Sequence, residues 1–402
     1  MLTPEARKER VIFFIPTLDC GGAERACVTY LNYLKGFRPF LAVQFKRGPL
    51  LGELTPDVPV FETVRSTGAD LRVRKQNGRK LWSQPIFLLS QAHRLKKLAE
   101  QNNCKAVVSF ITMPNIIAIF AKLFFDRRLK VIINVHDVTS RILEHSKLAR
   151  YERVLLRWLI RRFYPRADVI VAVAHGIKRD LIENFRVPPE KIAVIYNPID
   201  VQTLRQRAAE PVEHSWFNSQ NSPLIVAVGR LVKLKGFELL IRAFAQLPQK
   251  LNARLIILGD GEERQALQKL IEQLGLSERV ALLGFQENPW KYMACADLFV
   301  LSSLTEGLPN VIGEAMALGV PIVATDCSDG VREYLNDGQA GLLVASGSIE
   351  TISEGLLQLL TDQQLRQRLA SLAAERVKEF ELSRIIEHYE AILKQVVTSR
   401  HC

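Results

Sequence analysis

"LIVAVGRLVKLKGFELLIRAFAQL" (224–247) decides the fold. An apolar run enters a loop at Gly229, three cations follow, and apolar residues recur at helical spacing from Phe237. A run with no polar alternation is how a strand reads when helices cover both faces of its sheet, as in parallel α/β folds. The same order stands near the start of the chain, in "VIFFIPTLDCGGAERACVTYLNYL" (11–34). A chain that twice opens with strand, glycine loop and helix predicts two doubly wound α/β domains.

Further apolar runs continue the pattern. They are FLAVQF (40–45), AVVSF (106–110), KVIINVH (130–136), DVIVAVAH (168–175) and IAVIYN (192–197), then RLIILG (254–259), VALLGF (280–285), LFVLSS (298–303) and PIVATD (321–326). "NPID" (197–200) ends the N-terminal set, and a polar stretch (205–223) precedes the second. From about residue 348 the chain reads as helix alone. The expected division is an N-terminal domain over 1–200, a C-terminal domain over 201–380 and a last helical segment over 381–402.

The chain has 402 residues, 48% hydrophobic and 24% charged, the composition of a water-soluble two-domain protein. Its six cysteines are scattered, with no C-x-x-C pair and no His at metal-ligand spacing, which predicts free thiols in a reducing cytoplasm. The first apolar run is too short for a signal-peptide core. Residues 106–121 carry no charge, but Pro114-Asn115 interrupts them and they fall short of the roughly 20 a membrane span needs. A buried strand followed by a buried helix is expected there. The net charge of +12 is uneven: residues 1–200 hold 34 Lys+Arg against 18 Asp+Glu, and residues 201–402 hold 20 against 24. The basic half should meet something acidic.

Candidate chemistry gathers at strand exits, where open parallel sheets bind ligands. In "GRLVKLKG" (229–236), Arg230, Lys233 and Lys235 put positive charge ahead of a helix N-terminus, a site for phosphate or simply a solvated loop. Gly21 and Gly22 in "CGGAER" let a backbone come close to a ligand at a helix start, and Glu24 and Arg25 also read as ordinary first-turn charges. "VIINVHD" (131–137) sets His136 at a strand end, as a structural or a functional residue. "TEGLPNVIGEAMALG" (305–319) carries Glu306 in a loop and Glu314 inside the helix that follows. A hydrolase pair would face one bond from two sides. Two acids on one loop-helix segment suit two contacts along one elongated ligand better. A charge at Glu314, between Gly313 and Ala315, needs a partner.

"KLARYERVLLRWLIRRFYPRAD" (147–168) reads as a helix with Lys147, Arg150, Arg153, Arg157 and Arg161 as a basic stripe, and with Leu148, Leu155, Trp158 and Leu159 elsewhere around it. "RVRKQNGRK" (72–80) adds further cations. Such a surface suits an anionic membrane, and equally a solvated helix with an apolar side to the core. No nucleic-acid-binding module is present, so nucleic acid is not expected as a partner.

Taken together, "GGAER", "GRLVKLKG", "LGDGEERQALQKLIEQLGLSERVALLGF" and "TEGLPNVIGEAMALGVPIVATD" stand in the order and spacing of the retaining GT-B glycosyltransferases. The chain resembles their glycosyltransferase 4 family (glycosyl transferases group 1) over nearly its whole length. The last segment matches the family's E-x7-E motif.

The resemblance implies an α/β GT-B fold, with two Rossmann-like domains whose parallel sheets face across a cleft and a C-terminal helix packing back on the N-terminal domain. It implies transfer of a sugar, with retention, from a nucleotide diphosphate sugar, UDP by family frequency. No cofactor and no metal ion would be needed, and the acceptor would be a lipid-linked or lipid-anchored saccharide of a bacterial surface glycan (lipopolysaccharide, O-antigen or capsule).

By position, Arg230 and Lys235 would neutralise the leaving diphosphate. Glu306, with the backbone of Gly307, Leu308 and Asn310, would hold the sugar, and Glu314 the ribose. His136 would contact the sugar, and Gly21-Gly22 the diphosphate and acceptor. Arg150, Arg153, Arg157, Arg161 and Trp158 would meet the acceptor or the membrane, placing a cytoplasmic, peripheral enzyme on the inner face of the cytoplasmic membrane. "NPID" departs from the family's N-G-V-D and puts a role of Asp200 toward the acceptor in doubt. The alternative is a nucleotide-sugar epimerase, or a nucleotide-sugar-binding protein of this fold that transfers nothing.

Overall fold

The computed structural model describes residues 8–19, 21–64, 85–146, 148–218 and 222–399. The chain forms two compact units, one up to residue 198 with the segment from 383 onward, the other Ile199–Leu382.

The first unit is a parallel sheet of β1 (Glu9–Ile15), β2 (Phe37–Val43), β3 (Val60–Glu62), β4 (Ala106–Phe110), β5 (Lys130–Val135), β6 (Val169–Ala172) and β7 (Ile192–Val194), in the order β3-β2-β1-β4-β5-β6-β7. Phe13 sits opposite Leu41 on one side and Val108 on the other. Its helices are α1 (Gly22–Tyr33), α2 (Pro85–Gln101), α3 (Thr112–Phe120), α4 (Thr139–His145), α5 (Arg150–Phe163) and α6 (His175–Phe185). Val11 through Ile15 and Val131 through Ile133 are wholly buried, which is why these strands read as continuous apolar runs. Each such side chain contributes about 1.5–3 kcal/mol of transfer free energy. The uncharged stretch 106–121 is β4 followed by α3. Among the described residues no helix is long and apolar enough to cross a membrane.

The second unit repeats the plan with β8 (Leu224–Val228), β9 (Arg254–Leu258), β10 (Val280–Gly284), β11 (Leu298–Leu301), β12 (Ile322–Thr325) and β13 (Leu342–Val344), ordered β10-β9-β8-β11-β12-β13, again all parallel. Its helices are α7 (Val201–Ala208), α8 (Phe237–Ala245), α9 (Arg264–Gln273), α10 (Trp290–Ala294), α11 (Asn310–Ala317), α12 (Asp329–Tyr334), α13 (Ile349–Thr361) and α14 (Gln363–Arg376). The chain ends in α15 (Leu382–Thr398), which belongs almost entirely to the first unit.

In each sheet the order reverses once, between β1 and β4 and between β8 and β11. Strand exits at these switch points are left uncovered and collect ligand loops. β3 and β13 leave no trace among the apolar runs of the sequence. Both are three-residue edge strands, partly exposed and too short to form an apolar run.

Candidate functional site

In the second unit, the loop leaving β8 and the loop leaving β11 are fastened to each other. Leu304 N–H donates to Leu234 O at 2.8 Å, and the Ser302 hydroxyl donates to Lys235 O at 2.9 Å. Gly236 makes this approach possible. Its φ is +64°, and a Cβ there would lie 2.1 Å from Ser302 O. Any other residue would be strained and would push the loops apart. The result is that Lys235 Nζ reaches Glu306 Oε1 at 2.5 Å, with both side chains mostly buried. The Ser303 hydroxyl donates to the same oxygen at 2.6 Å. Ser303 is itself held, its carbonyl accepting from the Thr325 hydroxyl at 2.6 Å.

Both hydrogen bonds to Glu306 fall on Oε1, and Oε2 accepts none among the described residues. Arg230 stands exposed at the β8 exit. Gly307, Leu308 and Pro309 are buried and lead into α11, whose first residue is Asn310. The first turn of α12 packs on this segment so closely that a Cβ at Gly330 would lie 1.9 Å from Gly307 O. Glu314 is half-buried one turn into α11. Cys327 lies beside this cluster. Burial, with the Glu306 charge adding to it, pushes its thiol up to about 12, so it stays protonated and offers no nucleophile.

In the first unit, Gly21 caps α1 in an extended conformation and Gly22 is its exposed first residue. His136 follows β5 directly. Its ring packs on Phe110 with centroids 5.7 Å apart. Neither ring nitrogen has a hydrogen-bond partner among the described residues, although both atoms are buried. Burial pushes its pKa down to about 3, so the imidazole is neutral and presents one donor and one acceptor. At the β4 exit, Ile111 holds φ +71°, a left-handed conformation that β-branched residues almost never adopt. Strain of this kind, about 1–3 kcal/mol, collects at ligand sites. The sequence carries no mark of it.

Helix α5 differs from its expectation. Arg150, Arg157 and Arg161 are exposed, but Arg153 is turned aside, half-buried, and donates to Glu144 O at 3.3 Å. The core-facing residues are Glu152, Leu156, Leu159 and Ile160. Leu155 and Trp158 lie outside that face. Trp158 is 54% exposed and Tyr151 66%, and with Val154, Leu155 and Arg150 they line one open hollow. The helix has apolar residues on two sides, and periodicity alone could not say which side meets the core. Lys147 and the segment 72–80 lie outside the described residues. Asp200 caps α7 instead of standing free. Its carboxylate accepts from Thr203 N–H at 3.0 Å and from the Thr203 hydroxyl at 2.8 Å.

Two Rossmann-like domains with polar loops at both switch points define the GT-B architecture, and relatives agree. The model for Glycosyltransferase Family 4 matches residues 21–203, and that for Glycosyl transferases group 1 matches residues 212–376. The chain is 32% identical to the N-acetylgalactosamine-N,N'-diacetylbacillosaminyl-diphospho-undecaprenol 4-alpha-N-acetylgalactosaminyltransferase of Campylobacter jejuni, over 94% of this chain and 97% of that one. It is 40% identical to the lipopolysaccharide core biosynthesis glycosyltransferase LpsE of Rhizobium meliloti, over 43% of this chain and 50% of that one. Its fold superposes on HepE of Anabaena, solved with UDP, at a TM-score of 0.78 and 22% identity, over 96% of this chain and all of that one. The chain belongs to the GT-B glycosyltransferases of family 4, and it is a glycosyltransferase.

Proposed function

We propose that this enzyme transfers a sugar from a UDP-sugar to a lipid-linked saccharide in the assembly of a bacterial surface glycan, with retention of configuration and without a metal ion. The observation that carries it is the Lys235–Glu306 pair fastened across the β8 and β11 exits. Breaking the bond between sugar and diphosphate builds negative charge on the diphosphate. Fixed cations stabilise that charge most in the transition state. Arg230 and Lys235 supply them, and the α11 N-terminus adds its dipole. Glu306 holds sugar hydroxyls through Oε2, and Glu314 holds the ribose.

In the first unit, the neutral His136 offers its two ring nitrogens to a sugar hydroxyl, and Gly21-Gly22 open the start of α1 to an anionic group. Among the described residues, the side chains that hydrogen-bond to Glu306 are Lys235 and Ser303, which we read as supports and not as nucleophiles. The acceptor therefore attacks from the face the diphosphate leaves, and a diphosphate oxygen takes its proton. Two features support the lipid-linked acceptor: the Campylobacter relative's named acceptor class, and the exposed apolar-and-arginine face of α5. Tyr151 and Trp158 suit the interfacial layer of a bilayer, and Arg150, Arg157 and Arg161 its anionic headgroups, at about 1 kcal/mol per cation near the surface. The reading we favour is a peripheral enzyme at the inner face of the cytoplasmic membrane.

Transfer of radiolabelled sugar from UDP-sugars to an undecaprenyl-diphosphate-linked acceptor, in the presence of EDTA, tests the reaction. Loss of transfer in Glu306→Ala and Lys235→Ala is expected, and undiminished transfer in either overturns the site. Sedimentation with phosphatidylglycerol vesicles at low salt tests the membrane. The wild type should pellet, and Tyr151→Ser/Trp158→Ser should stay in solution. A wild type that stays in solution ends that part of the reading.

A further inference from the structure

The last helix described, α15, returns to the first unit and touches, through one residue, both the helix that follows Gly21-Gly22 and the strand that precedes His136. The Tyr389 ring stacks on Tyr30 of α1 with centroids 4.0 Å apart, and α1 is the helix that Gly21-Gly22 begin. The Tyr389 hydroxyl donates to Asn134 Oδ1 at 3.0 Å, and Asn134 lies on β5 two residues before His136. Tyr30, Tyr389 and Asn134 are each only 1% exposed.

Asn134 is the hub of a closed polar network. Its Nδ2 donates to Ser109 O at 3.1 Å. Its carbonyl accepts from Asn115 Nδ2 at 2.9 Å. The Ser109 hydroxyl donates to Asn115 Oδ1 at 2.7 Å. An aromatic path runs beside it, from Tyr389 through Tyr30 to Phe110 (6.4 Å) and on to the His136 ring. A fully satisfied buried network fixes one geometry, because each broken bond leaves a polar group orphaned away from water. Asn134 pairs with Phe110 across β5 and β4, and the His136 ring packs on that same Phe110.

We propose that Tyr389 is a positioning residue for sugar transfer, fixing the β5 exit that carries His136 through its hydrogen bond to Asn134. The proposal rests on the reading in which His136 meets the sugar. It gives the C-terminal helix a second task besides covering apolar surface. It also explains why a tyrosine rather than a phenylalanine is stacked on Tyr30 in a fully buried place.

A second contact of α15 supplies the control. The Glu390 carboxylate accepts the N–H groups of Lys35 and Gly36, at 2.6 and 2.8 Å, beyond the far end of α1. Glu390→Gln weakens the same helix on the same unit without touching β5. Steady-state transfer and melting temperature are measured for full-length Tyr389→Phe, Glu390→Gln, His136→Ala and Tyr389→Phe/His136→Ala. Tyr389→Phe should lower kcat about five- to tenfold, the rate equivalent of one neutral hydrogen bond, with the donor KM unchanged. Glu390→Gln should lower the melting temperature and keep kcat. In the His136→Ala background, Tyr389→Phe should cost nothing further.

Wild-type kcat in Tyr389→Phe overturns the proposal. So do losses that multiply in the double variant, or a kcat loss in Glu390→Gln as large as that in Tyr389→Phe. Full transfer by His136→Ala alone removes the role of His136, and then a loss in Tyr389→Phe runs by another route and overturns the positioning as well. Full transfer by Tyr389→Phe beside a defective His136→Ala removes only the positioning. Should Tyr389→Phe not fold, Asn134→Ala removes the Oδ1 acceptor and cuts the same hydrogen bond from β5. It should show the same loss in kcat and the same non-additivity, and an unchanged kcat overturns the proposal.

Discussion

The two switch points solve opposite problems. In the second unit the polar groups satisfy one another before any ligand arrives: Lys235, Glu306 and Ser303 converge on one carboxylate oxygen. In the first unit, His136 keeps both buried ring nitrogens without a partner among the described residues, beside a backbone bent into an unfavourable region at Ile111. Charged groups cannot be left bare in a half-buried place, so the loops leaving β8 and β11 pair them internally. A neutral imidazole costs less to leave open, and desolvation keeps it neutral.

The comparison breaks first at Lys235. Lys235→Ala should lower kcat by about 100-fold or more, as removal of a positioned transition-state contact does, and should also lower the melting temperature, because Glu306 keeps only Ser303. Lys235→Ala/Glu306→Ala should recover part of the melting temperature and none of the transfer. Recovery of transfer would sink the proposed division of roles. Glu314→Ala is gentler. If it holds the ribose, the donor KM should rise about tenfold with kcat nearly unchanged, the mark of binding shared by ground and transition states. A fall in kcat at constant KM would move Glu314 into the chemistry.

The smallest effect sharpens the other side. His136 has its ordinary value of about 6.5 in the unfolded chain and about 3 in the folded one. The stability it lends is complete above pH 6.5 and is lost as pH falls from 6.5 toward 3, where the unfolded state alone takes a proton. Melting curves of wild type and His136→Asn should therefore converge as pH drops from 7 to about 4.5. Parallel curves would show that the imidazole is solvated and ready to protonate.

Much of the molecule was legible beforehand because it is local. Continuous apolar runs announced β1, β4, β5 and β8 as strands covered on both faces. The loops after them, and Glu306 ahead of a helix, followed from chain order alone. What was misplaced or missed depends on contacts distant in sequence. Which side of α5 is covered was not legible, because the helix is apolar on two sides and only the neighbours of Leu156, Leu159 and Ile160 decide it. Ser303 and Thr325 gave no signal as supports of a carboxylate, since a serine or threonine at a strand end is ordinary anywhere.

The sequence by itself determined that this protein is two parallel α/β units with cationic and acidic loops at their strand exits, because hydrophobic period and loop chemistry act over a few residues. Tertiary structure alone decided that Lys235 meets Glu306 across 71 positions, and that Tyr389 reaches Asn134 across 255. Such pairings depend on where strands and helices settle in three dimensions. The two residues each carry no local trace of the partner that the packing brings to them.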